Sequence, residues 1–192
     1  RLPTSARWQR KAKGWGLDLA DTTFTQRGLQ GSPARASVEF LDGRASAQVD
    51  TLELGPLASL AMLSGRVPEK ARRWLYLASP RGKVRNVDLR WNGFEDFSVD
   101  AGLDGLSMRS VDGIPGVDPL SGELHGDSEA LLLNLPRQAS RIELPKVFRK
   151  AFELSRLDGD VLVWRDAGDW IVRTPRLLVD GEEFSIVARG GL

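Results

Sequence analysis

Few side chains of this sequence could carry out covalent or metal chemistry. The 192 residues include no cysteine, which excludes thiol catalysis, disulfides and thiolate metal sites. His125 is the one histidine, so a metal site with several histidines is also excluded. It alternates with Leu124 and shares its parity with Glu123, a pattern typical of a solvent-facing strand residue. Nucleophile-elbow, phosphate-loop, metal-binding-helix and dinucleotide-binding motifs are absent. We therefore expect a protein that is not an enzyme and needs no cofactor and no metal.

The acidic and aromatic residues allow two further sites, each with a simpler interpretation. Asp112 and Asp118 flank a stretch rich in glycine and proline, and such a carboxylate pair could bind Ca²⁺ or hydrolyse a glycoside. Turn formation is the simpler interpretation, because aspartate is favoured in turns. The six tryptophans could form a sugar-binding platform, but most occupy apolar positions of predicted strands or helices. Packing is therefore the favoured role for them.

The composition is that of a folded domain. Apolar residues make up 41% of the chain and charged residues 28%, which rules out wholesale disorder. The 27 basic and 26 acidic residues give no basic excess, so we expect no nucleic-acid partner. Residues 1–13 contain five basic side chains and no acid, and we assign 1–14 to a basic end or linker. The chain does not begin with methionine and shows no signal peptide, so we expect it to be a piece of a longer protein.

From Trp15 onward, apolar and polar residues alternate with the period of a β-strand almost to the C-terminus. Asp42-Gly43 predicts a two-residue hairpin that pairs Phe40 with Ala45 and Val38 with Ala47. Asn92-Gly93 and Asp180-Gly181 predict two further turns. The cross-strand pairs that they predict are Leu89 with Phe97 and Leu177 with Phe184.

One helical insertion interrupts the strands at 56–79. Pro56 and Pro68 stand where helices begin, while Gly65 and Pro80 stand where helices end. We favour a structural cap on the sheet for this helical pair, although a plug or gate at one end of it is the alternative.

The predicted sheet is antiparallel and apolar on one face, and two short helices cannot cover some ten strands. The sheet can fold onto itself as a β-sandwich, close into a barrel, or curl into an open trough whose interior meets an apolar ligand. The alternation alone leaves these three solutions open.

Several motifs closely resemble the central domain of the YhdP family, which belongs to the AsmA-like group of bacterial envelope proteins and is related to TamB. The order and spacing of these motifs across 52–192 identify the family more specifically than any single motif does. The matching motifs are VPEKARRWL at 67–75, PRGKVRN at 80–86, GIPGV at 113–117, LSG at 120–122, LPKVFR at 144–149, LDG at 157–159, VW at 163–164 and GDW at 168–170.

The resemblance implies a repeating β-groove over 15–192: a long half-pipe of antiparallel strands with an apolar lining, a segment of a larger protein. It also implies a periplasmic location, an inner-membrane anchor outside this chain, neighbouring groove repeats, and transport of phospholipid between the inner and outer membranes. A non-catalytic scaffold or assembly module of the envelope is the alternative function.

A groove of this kind would shield acyl chains from water, where each exposed CH₂ costs about 0.8 kcal/mol. Our candidate lining takes the apolar parity of the predicted strands. Leu162, Trp164, Leu178 and Val187 lie on the other parity. The candidate lipid-binding residues are Val87, Leu89, Trp91, Phe97, Val99, Leu131, Leu133, Leu177, Val179, Phe184 and Ile186.

Overall fold

The computed structural model describes residues 5–22, 25–26, 29–30, 34–63, 67–93, 95–146, 148, 150–166 and 169–191. The chain is mainly β, with 71% of the described residues in strands. The strands are β1 (Ser5–Lys11), β2 (Gly14–Thr22), β3 (Thr25–Gln26), β4 (Leu29–Gln30), β5 (Ala34–Leu41), β6 (Arg44–Glu53), β7 (Arg81–Trp91), β8 (Phe97–Met108), β9 (Gly116–Asp127), β10 (Ala130–Glu143), β11 (Phe152–Asp166), β12 (Asp169–Gly181) and β13 (Ser185–Gly191). The helices are α1 (Leu54–Leu63) and α2 (Glu69–Ala78).

Eleven strands form a single antiparallel sheet in the order β1-β2-β5-β6-β7-β8-β9-β10-β11-β12-β13, and β3 pairs with β4 separately. The sheet is open: within the described ranges, β1 pairs with β2 alone and β13 with β12 alone. This confirms the predicted long antiparallel sheet with a helical pair, and the β-sandwich alternative is wrong. The chain exposes 13217 Å² to solvent, whereas a compact chain of this size exposes about 9,000 Å². The additional exposed surface is what we expect of a single sheet layer that no second layer covers.

The first strands of the sheet are regular apart from one register shift between β2 and β5, after Leu19. The hairpin at Asp42-Gly43 has the predicted register, with Phe40 opposite Ala45 and Val38 opposite Ala47. Residues 5–11, which the sequence analysis assigns to a basic end or linker, instead form the edge strand β1. Edge pairing depends on backbone groups rather than on apolar alternation, so a basic strand can join the sheet there.

Two predicted cross-strand pairs are wrong, although the faces are right. Leu89 lies opposite Val99, and Trp91 rather than Leu89 lies opposite Phe97. The loop is longer because Asn92 closes it onto Asp96, through its backbone N–H to the carbonyl oxygen at 2.8 Å and its Nδ2 to Oδ2 at 2.8 Å.

At the last hairpin, Leu177 lies opposite Ala188 instead of Phe184. The turn is centred two residues later, since the Gly181 N–H donates to the Phe184 carbonyl oxygen at 2.9 Å. Phe184 can then lay its ring over Gly181, where no side chain blocks it. A turn that is longer by two residues changes every later pair but leaves each side chain on its predicted face.

The helical pair connects β6 to β7 at one end of the sheet. α1 begins at Leu54, and Pro56 lies in its first turn. Backbone N–H groups of the first turn have no partner within the helix, so a proline, which lacks this group, is tolerated there. α2 begins after Pro68 and ends at Ser79, whose left-handed backbone lets its N–H bond the Leu75 carbonyl oxygen at 3.0 Å. α1 packs on β7 and β6, and α2 packs on α1.

The second half of the sheet is irregular. Every neighbouring pair from β7/β8 to β12/β13 has a register shift within it, which increases local twist and bends the sheet. Between β9 and β10 a side chain fills the gap in the ladder. Gln138 accepts from the Ser121 N–H through Oε1 and donates to the Ser121 carbonyl oxygen through Nε2, both at 2.7 Å. The backbone therefore stays satisfied where the strands separate.

Candidate functional site: the apolar face of the sheet

One face of the sheet carries continuous rows of apolar side chains, because cross-strand partners share a face. We call this surface the apolar face. One row runs from β2 to β12 through nine directly paired residues. They are Leu17, Val38, Ala47, Leu89, Val99, Gly126, Leu131, Val163 and Val172.

A second row is aromatic and runs beside the first from β2 to β8. Trp15 stacks on Phe40 with ring centroids 6.3 Å apart, and Trp91 stacks on Phe97 at 5.8 Å. Ala45 lies between the two pairs. Because the Ala45 side chain is small, the surface has a shallow depression between the two aromatic pairs.

The structure places all eleven predicted lining residues on this face, and it arranges them in three groups. Leu89 and Val99 are directly paired, as are Trp91 and Phe97, and Val87 continues their strand face. Leu131 and Leu133 join them through β9 and β10. Leu177, Val179, Phe184 and Ile186 form the third group at the β12–β13 end. Register establishes the common face of the ten strand residues, and Phe184 joins them by packing against the small core, whereas lipid contact stays a prediction.

The apolar face is half exposed along most of its length. Trp15 is 36% exposed, Phe40 37% and Ile186 49%, and no large side chain of the described residues is completely buried. Among the described residues, Leu135, Leu154 and Leu157 form a small core of buried side chains that contact one another. Soluble proteins rarely leave a contiguous apolar surface of this extent uncovered without a binding role.

The opposite face is polar over β2–β9 and over part of β10–β11, and it is tied together across strands by side-chain hydrogen bonds and ion pairs. The face is therefore suited to water, and its polar groups are paired. The cross-strand pairs include Ser37 with Asp18 at 2.8 Å, Gln48 with Asp88 at 3.3 Å, Arg85 with Glu123, His125 with Asp100 at 2.7 Å and Asn134 with Asp160 at 2.6 Å.

The side chains considered first for catalysis lie in ordinary structural positions. His125 is on the polar face, as its alternation predicts, and its Nδ1 contacts the Asp100 carboxylate. Asp112 occupies a tight turn with φ of 52°. Within the described ranges, no three His, Asp or Glu side chains gather as a metal site would require.

The polar face has an apolar patch of its own near the C-terminus. Leu162 and Leu132 are directly paired there, and Arg173 lies over the Trp164 ring at 5.7 Å from its centroid. Leu178 pairs with Val187 on the same face. The parity exceptions noted in the sequence therefore lie on the opposite face, and the strict alternation fails in β10–β13.

An apolar pocket of about 370 Å³ lies at the end of β10–β13 and was only partly predicted. Sequence reasoning assigned its β12–β13 wall but missed its β10–β11 wall. The missed strand residues alternate with Glu143 and Glu153, but each alternating run is only three residues long and borders the loop that separates β10 from β11. The lining residues are Ile142, Leu144, Phe148, Phe152, Leu154, Val179, Phe184 and Ile186.

One acidic group in the polar turns has a shifted pKa. Hydrogen bonds from the backbone N–H groups of Glu129 and Ala130 hold the pKa of Asp127 below its ordinary value of 3.8. The carboxylate closes the β9–β10 hairpin as a local turn.

Neither helix of the described part is long and apolar enough to cross a bilayer.

A comparison with protein-family models places the whole chain in one family. The model described as YhdP protein matches residues 1–192, and the chain belongs to the YhdP family. Membership indicates an envelope protein of the AsmA-like group. No curated protein and no solved structure matches the chain.

Proposed function

We propose that this chain is a segment of a periplasmic lipid-transfer protein, which shields phospholipid acyl chains on its apolar face as they pass between the inner and outer membranes. Family membership supports an envelope role. The observation that carries the proposal is the apolar face itself, which is continuous across the sheet and has no second layer of the described residues above it.

Transfer energetics explain how such a face would act. An acyl chain crossing water loses about 0.8 kcal/mol for each exposed CH₂, and an apolar row recovers much of that loss along the path. The row from Leu17 to Val172 contains no polar or charged side chain, so it offers no fixed anchor along its length. The headgroup stays in water beside the open face and avoids desolvation. No nucleophile, acid or base is needed.

The wider setting belongs to the same proposal. The full-length protein would be anchored in the inner membrane by segments outside this chain, and neighbouring groove repeats would extend the path. Phospholipid is the proposed partner, without nucleic acid, cofactor or metal.

A scaffold or assembly module is the second candidate function, and the sheet edges favour it. β1 and β13 each pair on one side only in the described part of the chain, so their outer backbone groups can accept a further strand. An assembly role of this kind uses the edges and leaves the apolar face without a ligand.

Photo-crosslinking along β7 separates the two functions. Five variants of the full-length protein each carry one photoreactive residue, at position 87, 88, 89, 90 or 91, and are crosslinked in cells. Val87, Leu89 and Trp91 share the apolar face, while Asp88 and Arg90 between them are matched controls on the polar face. Lipid adducts at the first three positions alone are expected. Adducts without this alternation, or at none of the five, would reject lipid shielding and favour the scaffold.

A further inference from the structure

A cleft lies between the helical pair and the end of β6–β8, separate from the apolar pocket of β10–β13. Its volume is about 830 Å³, which is within the range of small-molecule sites. Residues of α1, of α2 and of the start of β7 line it, together with Arg109, which follows β8. The Arg109 N–H donates to the Ala78 carbonyl oxygen at 2.9 Å and so holds the end of β8 against the end of α2. The cleft is therefore built into the junction of the helices and the sheet.

The helices give the cleft an apolar wall. Met62 of α1 lines it, as do Leu75, Tyr76 and Leu77 of α2. Tyr76 is 70% exposed and Leu77 is 37% exposed, so this wall is open to a ligand that arrives from solvent. α1 contains no charged residue along its whole length. Exposed apolar side chains in a concave site favour contact with hydrocarbon.

The sheet gives the cleft a cationic wall. Arg81, Lys83 and Arg109 line it, and Glu53 is the one acid among the lining residues. Glu53 lies directly opposite Lys83 across the β6–β7 pair, so these two charges compensate each other. Arg81 and Arg109 are exposed, and no ion pair between described residues includes either of them. Two positive charges therefore remain beside the apolar wall.

We infer that this cleft binds one phosphate-bearing lipid, with the phosphate at Arg81 and Arg109 and an acyl chain on the helical wall. Arginine forms paired, charge-assisted hydrogen bonds with phosphate oxygens, and its guanidinium group is always charged in proteins. The inference rests on the proposed function for its choice of a lipid, and it adds a fixed headgroup site to that function.

Two observations favour a lipid over a soluble phosphate compound. A soluble compound would use the arginines and leave the exposed apolar wall without a contact. The cleft also lies where β7 begins, and the same strand carries the candidate lining residues Val87, Leu89 and Trp91 farther along. A lipid held at the cleft is therefore one strand length from the apolar face.

The test compares two lipids that differ only in the phosphate. Purified full-length protein with one photoreactive residue at Tyr76 is mixed, in dodecyl maltoside, with phosphatidic acid or with diacylglycerol of the same acyl chains. Adducts are expected to favour phosphatidic acid about tenfold, which is about 1.4 kcal/mol for two exposed charge contacts. Leu63 is the control position, because it is exposed on α1 but does not line the cleft. The two lipids should give equal yields there.

Substitution of the arginines then identifies the source of the preference. Arg81→Gln with Arg109→Gln should bring the ratio at Tyr76 close to one and leave the diacylglycerol yield unchanged, because the apolar wall is intact. Arg81→Lys with Arg109→Lys should keep part of the preference, since the charges remain. Arg44→Gln with Arg90→Gln removes two exposed arginines elsewhere and should leave the ratio unchanged.

Glycerol 3-phosphate distinguishes a lipid from a soluble phosphate compound, because it is the polar part of phosphatidic acid without acyl chains. Added at the concentration of the lipid, it should leave the phosphatidic acid yield at Tyr76 unchanged, since it cannot use the apolar wall. Loss of the preference under this condition would make the cleft a site for soluble phosphates, and the inference would be wrong.

A photoreactive residue at Leu89, tested in parallel, separates this inference from the proposed function. Adducts at Leu89 with equal yields of the two lipids at Tyr76, or with a ratio that survives the glutamine substitutions, would overturn the inference and leave lipid shielding intact. A phosphate preference at Tyr76 without adducts at Leu89 would support the cleft and reject shielding by the apolar face. Adducts at neither position would reject both.

Discussion

An uncovered apolar face predicts that its side chains stabilise the fold much less than the small core does. Leu157 and Ile186 are matched in size, but Leu157 is 4% exposed and Ile186 is 49% exposed. Leu157 packs with Leu135 and Leu154 in the core. Truncation to alanine at the two positions therefore compares a closed environment with an open one.

The expected magnitudes follow from burial. Leu157→Ala removes buried methyl groups and leaves a cavity, so the free energy of unfolding should fall by about 3 kcal/mol. Ile186→Ala removes a side chain that is already half in water and leaves no closed cavity. Its cost should be about 1 kcal/mol.

Urea unfolding of both variants and the unsubstituted chain measures the difference, provided that the slope of the transition is unchanged. A loss at Ile186 equal to the loss at Leu157 would mean that a protein layer covers the face. That result would refute the interpretation of this surface as open.

Three further predictions concern particular residues. Ser140 is 4% exposed, and its Oγ has no hydrogen-bond partner among the described residues. Ser140→Ala should therefore raise the free energy of unfolding by about 1 kcal/mol, and a decrease in the urea midpoint would contradict this. Gly159 has φ of 135°, and a Cβ there would collide with the Arg176 carbonyl oxygen, so Gly159→Ala should cost more than about 2 kcal/mol by the same assay, and a neutral result would reject the β11–β12 geometry. The pKa of Asp127 is lowered, so its contribution to the hairpin is complete above pH 3.8 and is lost as the pH falls through the folded-state pKa; carboxyl chemical shifts should give a midpoint below that of a model peptide, and an unshifted midpoint would disprove the turn.

The sequence predicted the face of each lining residue because period-2 alternation depends on local chain geometry. Leu89 and Val99 share a face whether the loop between their strands has three residues or five, because lengthening a loop by two residues keeps the strand parity. The Asp42-Gly43 register was predictable for a related reason, since that dipeptide itself adopts the turn.

Other features depend on contacts between distant residues and have no local signal. The loop length at 92–96 depends on the bonds between Asn92 and Asp96, and the last turn depends on a ring lying over Gly181. The pocket wall needs Phe148 and Phe152 to meet across a loop. Alternation in one strand cannot indicate such meetings.

The central claim is that the apolar face is left open by protein and filled by acyl chains. Native mass spectrometry of the full-length protein purified from its own envelope tests this most directly. We predict that phospholipid will be released on activation, and that aspartate at Leu89 and Val99 together will lower the bound amount while aspartate at Arg90 and Ser98 on the polar face will not. Protein that is free of lipid, or a bound amount that is indifferent to the face substituted, would contradict the account.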